Sequence, residues 1–301
     1  CIACLQGCVA NMYAGNPVCC LTNPFLGHEA EPLEKAEEPK KVMVIGGGVA
    51  GLSAAFIAKE RGHEVTLYEA GDVLGGNMRL AAYPPGKGDI TNMIRSYIHR
   101  CQKDGVKIVM NCEVTPELIK EEKPDSVIIA TGSKTLILPI EGIDNPAIIH
   151  GSDLLDGKRA AGKKVLVVGG GMVGCETAAF LGEQEHDVTV IEFRDTVGAD
   201  VIHEHRVYLM KDFEDYGIKE ITGAKVCKFY EDGVEYETAD GVRHESRGYD
   251  SVILSMGFRN YNPLEEKIKD LVPETHVIGD AIRARRALDA TKEAYEVASR
   301  I

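Results

Sequence analysis

Residues 42–70 read VMVIGGGVAGLSAAFIAKERGHEVTLYEA, and residues 165–193 read VLVVGGGMVGCETAAFLGEQEHDVTVIEF. The two stretches align without a gap at an offset of 123, and twelve of 29 positions are identical. The shared residues are the valines at 42, 44 and 65, all four glycines, Ala55, Glu60, His63, Thr66 and Glu69, each with its counterpart. Each stretch opens on an apolar run of strand length, turns through glycines, continues as an Ala-rich helical segment and returns to a second apolar strand. In the first copy the strands are expected over 41–45 and 64–69, with a helix over 50–60. One β-α-β unit is therefore used twice, which sets the class as α/β with two Rossmann-like units.

The glycine turns carry the chemistry. Gly46, Gly48 and Gly51 follow the first strand and open the helix; Gly169, Gly171 and Gly174 do the same in the second copy. In such a turn the first glycine permits the tight reversal, the second lets a pyrophosphate approach the backbone, and the third allows close helix–strand packing. The helix N-terminus then offers unpaired N–H groups and a partial positive charge to phosphates. Glu69 lies 23 residues after Gly46, and Glu192 lies 23 residues after Gly169. A carboxylate there accepts hydrogen bonds from ribose hydroxyls. At Glu192 it favours a free 2′-hydroxyl and repels a 2′-phosphate, so NADH is expected over NADPH. Arg194, two residues on, works against that preference. Two matches at identical spacing leave little room for a glycine turn that binds nothing.

Around these units the chain is acidic and soluble in composition. Its net charge of −13 argues against a nucleic-acid footprint. No apolar run approaches the ~18 residues of a membrane helix. Five of the nine cysteines, Cys1, Cys4, Cys8, Cys19 and Cys20, fall in the first twenty residues. That clustering reads as a metal or cluster site in a reducing compartment, so a cytoplasmic location is expected. The spacing Cys1-x2-Cys4-x3-Cys8-x11-Cys20 suits either a 4Fe-4S cluster or a tetrahedral zinc ion. A first residue inside this motif leads us to expect a preceding segment in a parent protein. Residues 27–41 are charged and carry two prolines, as a surface linker does. Between and after the repeats, a helix is expected over 90–104 and strands over 106–110 and 126–130. A helix over 205–216, meander-like strands over 221–247, strands over 250–255 and 275–278, and a closing helix follow. The pair His203 and His205 lacks a third nearby ligand and reads as solvated.

Together these features resemble the superfamily of flavoproteins with two dinucleotide-binding domains, the glutathione-reductase-like enzymes. Ala130-Thr131-Gly132 is similar to the segment that closes the first half of their FAD domain. Ser255-Met256-Gly257 resembles the segment leaving the NAD domain, and Gly279-Asp280 the pair whose Asp binds the flavin ribityl chain. The resemblance implies FAD at Gly46, Gly48, Gly51, Glu69, Gly76, Thr131, Gly132, Gly279 and Asp280, and NADH at Gly169, Gly171, Gly174, Glu192 and Gly257. Glu176 occupies a position that lies near flavin and nicotinamide in the disulfide-reductase branch. The redox cysteine pair of that branch has no counterpart near Gly75-Gly76-Asn77. The opening CIACLQGCVANMYAGNPVCCLTNP resembles more narrowly the iron–sulfur flavoenzymes related to 2,4-dienoyl-CoA reductase, 2-enoate reductase and trimethylamine dehydrogenase. That resemblance implies a 4Fe-4S cluster on Cys1, Cys4, Cys8 and Cys20, with Cys19 outside the ligand set. Leu5 departs from the Asn common there.

The organisation implied is a cluster segment and linker over 1–40, a discontinuous FAD domain over 41–150 plus 250–301, and a NAD(P)H domain over 151–249. It further implies an N-terminal (β/α)8 barrel with FMN in the parent protein, absent from this chain, and is compatible with a homo-oligomer. Electrons would pass from NADH to FAD, to the cluster, and to the barrel for reduction of an enoate or enoyl-CoA double bond. Two other readings remain at this point: a fragment of an amine dehydrogenase with a structural nucleotide in the second site, and a non-catalytic nucleotide-binding assembly module.

Overall fold

The computed structural model describes residues 1–301. In chain order the elements begin with α1 (Val9–Tyr13), β1 (Lys41–Ile45), α2 (Val49–Glu60), β2 (Glu64–Tyr68), α3 (Asp89–Lys103), β3 (Lys107–Val109), α4 (Pro116–Glu122) and β4 (Ser126–Ile129). There follow β5 (Ser133–Thr135), β6 (Ile149–His150), α5 (Gly151–Leu155), β7 (Lys164–Val168), α6 (Met172–Glu183), β8 (Asp187–Ile191), α7 (His203–Asp215) and β9 (Lys219–Ile221). The chain ends with β10 (Lys225–Tyr230), β11 (Gly233–Glu237), β12 (Arg243–Ser246), β13 (Ser251–Leu254), β14 (Phe258–Asn260), α8 (Glu265–Ile268), β15 (Glu274–Val277) and α9 (Ala287–Ala298). None of the helices is long and apolar enough to cross a membrane.

These elements form two compact units: residues 1–82, 89–134 and 259–301 make the first, and residues 83–88 and 135–258 the second. The first unit holds a parallel sheet in the order β15-β4-β1-β2-β3. Both faces are covered, so β4 is buried at every position and β1 at four of five. That is why the strands read as continuous apolar runs rather than alternating ones. Helix α2 is apolar almost all round, with Leu52, Ala54, Ala55, Phe56, Ile57 and Ala58 all at 0% exposure. Such a helix has to be covered on several sides, and α9 and α3 pack against it. The cysteine segment belongs to this unit. Leu21 is fully buried in the same core, and the Tyr97 hydroxyl on α3 donates to the Leu21 carbonyl at 2.7 Å.

The second unit repeats the plan as β6-β13-β7-β8-β9, all parallel, and adds an antiparallel meander β10-β11-β12. The meander is shorter than the sequence indicates: residues 219–221 form β9 and extend the parallel sheet, and the antiparallel strands begin at Lys225. The units divide after Lys134 and before Arg259 rather than near 150 and 250. The reason is register: β6 pairs with β13 through Ile149–Ile253 and His150–Leu254, which draws both edges of the expected boundary into the second sheet.

Candidate functional site: two matched turns and a thiol cluster

In the first unit the turn after β1 is built by close approach. Gly46 has φ +109°, and a Cβ there would lie 2.3 Å from the Ala130 carbonyl oxygen. A Cβ on Gly51 would lie 1.9 Å from the Gly46 carbonyl oxygen, so any side chain breaks the junction of turn and helix. Gly48 is different: its Cβ would meet nothing nearer than the Gly76 Cα at 4.0 Å. It borders the open space that a phosphate needs. Gly279 brings its neighbour Asp280 to the same end of the sheet, since a Cβ on Gly279 would touch the Ala50 side chain at 3.1 Å. Asp280 accepts from the Ser133 hydroxyl at 2.9 Å and the Arg285 N–H at 3.0 Å. Thr131 Oγ1 donates to the Tyr261 carbonyl, and Gly132 has φ +74° with open space beside it. Gly46, Gly48, Gly51, Gly76, Thr131, Gly132, Gly279 and Asp280 therefore gather at the carboxyl end of β1 and β4. That is the switch point of the sheet, where ligands of open α/β folds bind.

The second unit reproduces this geometry. Gly169 has φ +105° and abuts the Ser255 carbonyl, and a Cβ on Gly174 would lie 1.8 Å from the Gly169 oxygen. Ser255-Met256-Gly257 thus stands to Gly169 as Ala130-Thr131-Gly132 stands to Gly46, and Gly257 has φ +97° with open space beside it.

The two acidic residues have a further role that spacing alone did not reveal. Glu69 accepts from the Gly47 N–H and the Gly71 N–H, both at 2.7 Å. Glu192 accepts from the Gly170 N–H at 2.6 Å and the Arg194 N–H at 2.9 Å. Each carboxylate straps the glycine turn to the loop after the next strand, which aims it as well as charging the site.

Glu176 is the fifth residue of α6, buried, and paired with the ammonium of Lys87. Lys87 was not singled out in the sequence; it sits in the short segment 83–88 that packs with the second unit. The signal, a basic residue between two glycines after Pro84-Pro85, is too common to find by pattern. Cys175 is buried and its thiol is pushed up to about 12 by burial, as is that of Cys101. Both behave as small apolar residues.

The N-terminal thiols are all free of disulfides. Burial pushes the Cys4 thiol up; the Gln6 N–H opposes this, and the nearby Cys20 and Cys8 add to it. Burial also raises Cys19, with Lys292 pulling the other way. Ala3 and Leu5, flanking Cys4, both take left-handed backbone at φ 51° and 54°. This costs energy at non-glycine residues, and it turns the Ala3 N–H toward Cys1 Sγ at 3.4 Å. Gly7 is packed so tightly on Cys19 that a Cβ would lie 2.5 Å from its carbonyl oxygen, and the Cys19 N–H donates to Gly7. The Cys19–Cys20 segment is thus docked onto the Cys4–Cys8 loop. The Cys19 sulfur is turned to the Asn11 amide at 3.5 Å, and Cys20 to Thr22 at 3.2 Å. No three acidic, His or Cys side chains are gathered closely enough for one metal ion. N–H groups turned to sulfur stabilise thiolates in a zinc site and in an iron–sulfur cluster alike.

The model of the family described as pyridine nucleotide-disulphide oxidoreductase matches residues 40–278. The chain is 34% identical over 305 residues to a cinnamate reductase of Clostridium sporogenes, covering 100% of this chain and 45% of that protein. It is also 34% identical over 310 residues to an NADH oxidase of Thermoanaerobacter brockii, covering 100% of this chain and 47% of that protein. Among solved structures, a 2-naphthoyl-CoA reductase in complex with 2-naphthoyl-CoA superposes with a TM-score of 0.94 at 33% identity, over 100% of this chain and 46% of that one. The chain thus spans a little under half the length of these relatives. Its matched turns, its paired carboxylates and these likenesses agree. The chain belongs to the pyridine nucleotide-disulphide oxidoreductase family and corresponds to the FAD- and NAD(P)H-binding part of flavoenzymes of the 2-enoate reductase type.

Proposed function

We propose that this chain is the electron-input module of such a flavoenzyme, with FAD on the first unit, NADH on the second and a 4Fe-4S cluster on Cys1, Cys4, Cys8 and Cys20. The observation that carries the reading is the duplicated, carboxylate-strapped turn in a chain whose free thiols are packed on the first unit. When bound, the nicotinamide supplies a hydride, the flavin accepts it, and the cluster handles electrons singly. The protein's part is to hold and aim. Gly46 to Gly51 and the α2 N-terminus would seat one pyrophosphate, with Asp280 toward the flavin side chain. Gly169 to Gly174 would seat the other, and Glu192 would accept the ribose hydroxyls of NADH and repel a 2′-phosphate. Glu176, held by Lys87, stands on α6 just past its first turn and would orient the nicotinamide end. The Tyr97–Leu21 hydrogen bond fixes the Cys20 loop to α3 of the flavin-binding unit.

On this reading the remaining half of the relatives' length supplies the substrate site, an FMN-binding barrel where an enoate or enoyl-CoA double bond is reduced. The chain alone would pass electrons from NADH to artificial acceptors and leave enoates untouched. The test is an anaerobic titration with NADH and, separately, NADPH, following flavin and iron–sulfur absorbance. We expect stoichiometric bleaching of the flavin by NADH at lower concentration than by NADPH, then slower loss of cluster absorbance. No bleaching by either nucleotide, with both groups present, overturns the reading.

A further inference from the structure

The duplication runs past the two stretches that first reveal it. The Gly75 N–H donates to the Gly47 carbonyl at 2.8 Å, and the Gly198 N–H donates to the Gly170 carbonyl at 2.7 Å. These pairs keep the offset of 123. Two residues further on, Asn77 and Asp200 therefore occupy corresponding places, and they do different things. The Asn77 amide turns away to the Ser133 carbonyl and hydroxyl, at 3.4 and 3.3 Å. Asp200 Oδ1 instead accepts the N–H of Met172, the first residue of α6, at 2.8 Å. Its Oδ2 stands 3.4 Å from the point a Cβ on Gly171 would occupy.

The Gly171–Met172 corner is the positive end of α6, where a dinucleotide pyrophosphate is received. An anion of the protein already lies against it. The backbone that carries this anion is anchored: Gly198 is tied to Gly170, and the Arg206 guanidinium reaches Thr196 Oγ1 at 2.9 Å and the Val197 carbonyl at 3.1 Å. With that loop anchored, clearing the corner falls to the Asp200 side chain. We propose that Asp200 is a built-in competitor of the nucleotide phosphates at the second site. Its carboxylate caps α6 when the site is empty and yields when the nucleotide arrives. The second site therefore exchanges its ligand readily, whereas the neutral Asn77 leaves the phosphates of the first site unopposed and that cofactor retained. This inference rests on the reading of the second turn as the NADH site.

The test uses the FAD-loaded chain and ADP-ribose, which carries the pyrophosphate but cannot reduce the flavin. Binding is measured by calorimetry for the native chain, Asp200→Asn and Asp200→Ser, with adenosine as a ligand lacking phosphates and circular dichroism to confirm folding. Both variants retain an oxygen able to accept the Met172 N–H and lose the charge. ADP-ribose is expected to bind each about two- to thirtyfold more tightly than the native chain, the range of a charge at a helix end, with adenosine unchanged. Unchanged or weaker ADP-ribose binding by folded variants, with the native chain binding normally, overturns the competitor role and leaves the NADH reading intact. Absence of ADP-ribose binding in all three folded chains overturns both.

Discussion

Glu192 combines two duties, and a single substitution separates them. Its carboxylate braces the Gly170 and Arg194 N–H groups and places a negative charge where a ribose binds. Glu192→Gln keeps an acceptor for one of the two braced N–H groups and removes the charge. The preference for NADH over NADPH, measured as the ratio of kcat/KM with an artificial acceptor, is expected to fall about tenfold, or about 1.4 kcal/mol. The Lys87–Glu176 pair makes a different prediction. Glu176 is only 8% exposed, so Lys87→Met leaves a nearly buried carboxylate without its cation. Urea unfolding should show a loss of about 1–3 kcal/mol, and Lys87→Met combined with Glu176→Gln should recover part of it. If the double variant is no more stable than the single one, the pair is not what holds segment 83–88.

At the scale of the element, the duplicated histidines show how one position is used in two ways. His63 follows α2 and is buried, and its Nδ1 accepts the Lys40 N–H at 3.0 Å. Its counterpart His186 meets the Gly162 carbonyl through the same atom, at 2.7 Å. Burial, with Arg61 and Lys40 nearby, holds the His63 pKa below its ordinary 6.5. The unfolded chain therefore takes up this proton first. The stabilisation is complete above pH 6.5 and is lost as pH falls through the lowered folded value. Between about pH 8 and about pH 5, the Tm of the native chain should drop more steeply than that of His63→Gln. Equal slopes would mean that His63 is protonated in the fold without cost. Helix α4 is held by a cap of the usual kind: Thr115 Oγ1 accepts the Leu118 N–H at 3.3 Å, with Pro116 at the first helical position.

The elements themselves were largely legible, because strand, turn and helix each wrote a periodicity into VMVIGGGVAGLSAAF and its copy. The two glycine turns were legible for the same reason: close backbone contact excludes a Cβ and leaves glycine as the visible mark. What was not legible depends on contacts between distant segments. Ile221 looks like the start of a meander until β8 pairs with it. Lys87 and Asp200 carry no pattern of their own; each matters because the fold brings it to α6.

Across the whole molecule, the two units have separate apolar cores. Phe56, Leu67 and Ile128 lie in one, and Val167, Leu181 and Val190 in another. Each unit should therefore melt with its own ligand linkage. FAD at about a hundred times its Kd adds roughly 2.7 kcal/mol to the unit it binds, and ADP-ribose does the same for the other. Calorimetry should resolve two transitions, one shifted by each ligand. A single transition moved equally by both would show one cooperative block instead.

The chain leaves the first unit after Lys134 and returns only at Arg259, so β15 and α9 are the last parts of that unit to be synthesised. Until then the β4 edge lacks its β15 partner, α2 lacks its α9 cover and Asp280 has not been made. The inserted unit is the first to be complete. At bacterial or eukaryotic translation rates, the flavin-binding half waits on the ribosome with an open sheet edge for on the order of ten seconds. The nascent chain thus has a period of exposure, set by its connectivity, in which chaperone capture and edge-to-edge aggregation compete, and FAD can shorten it only after β15 and Asp280 have been added.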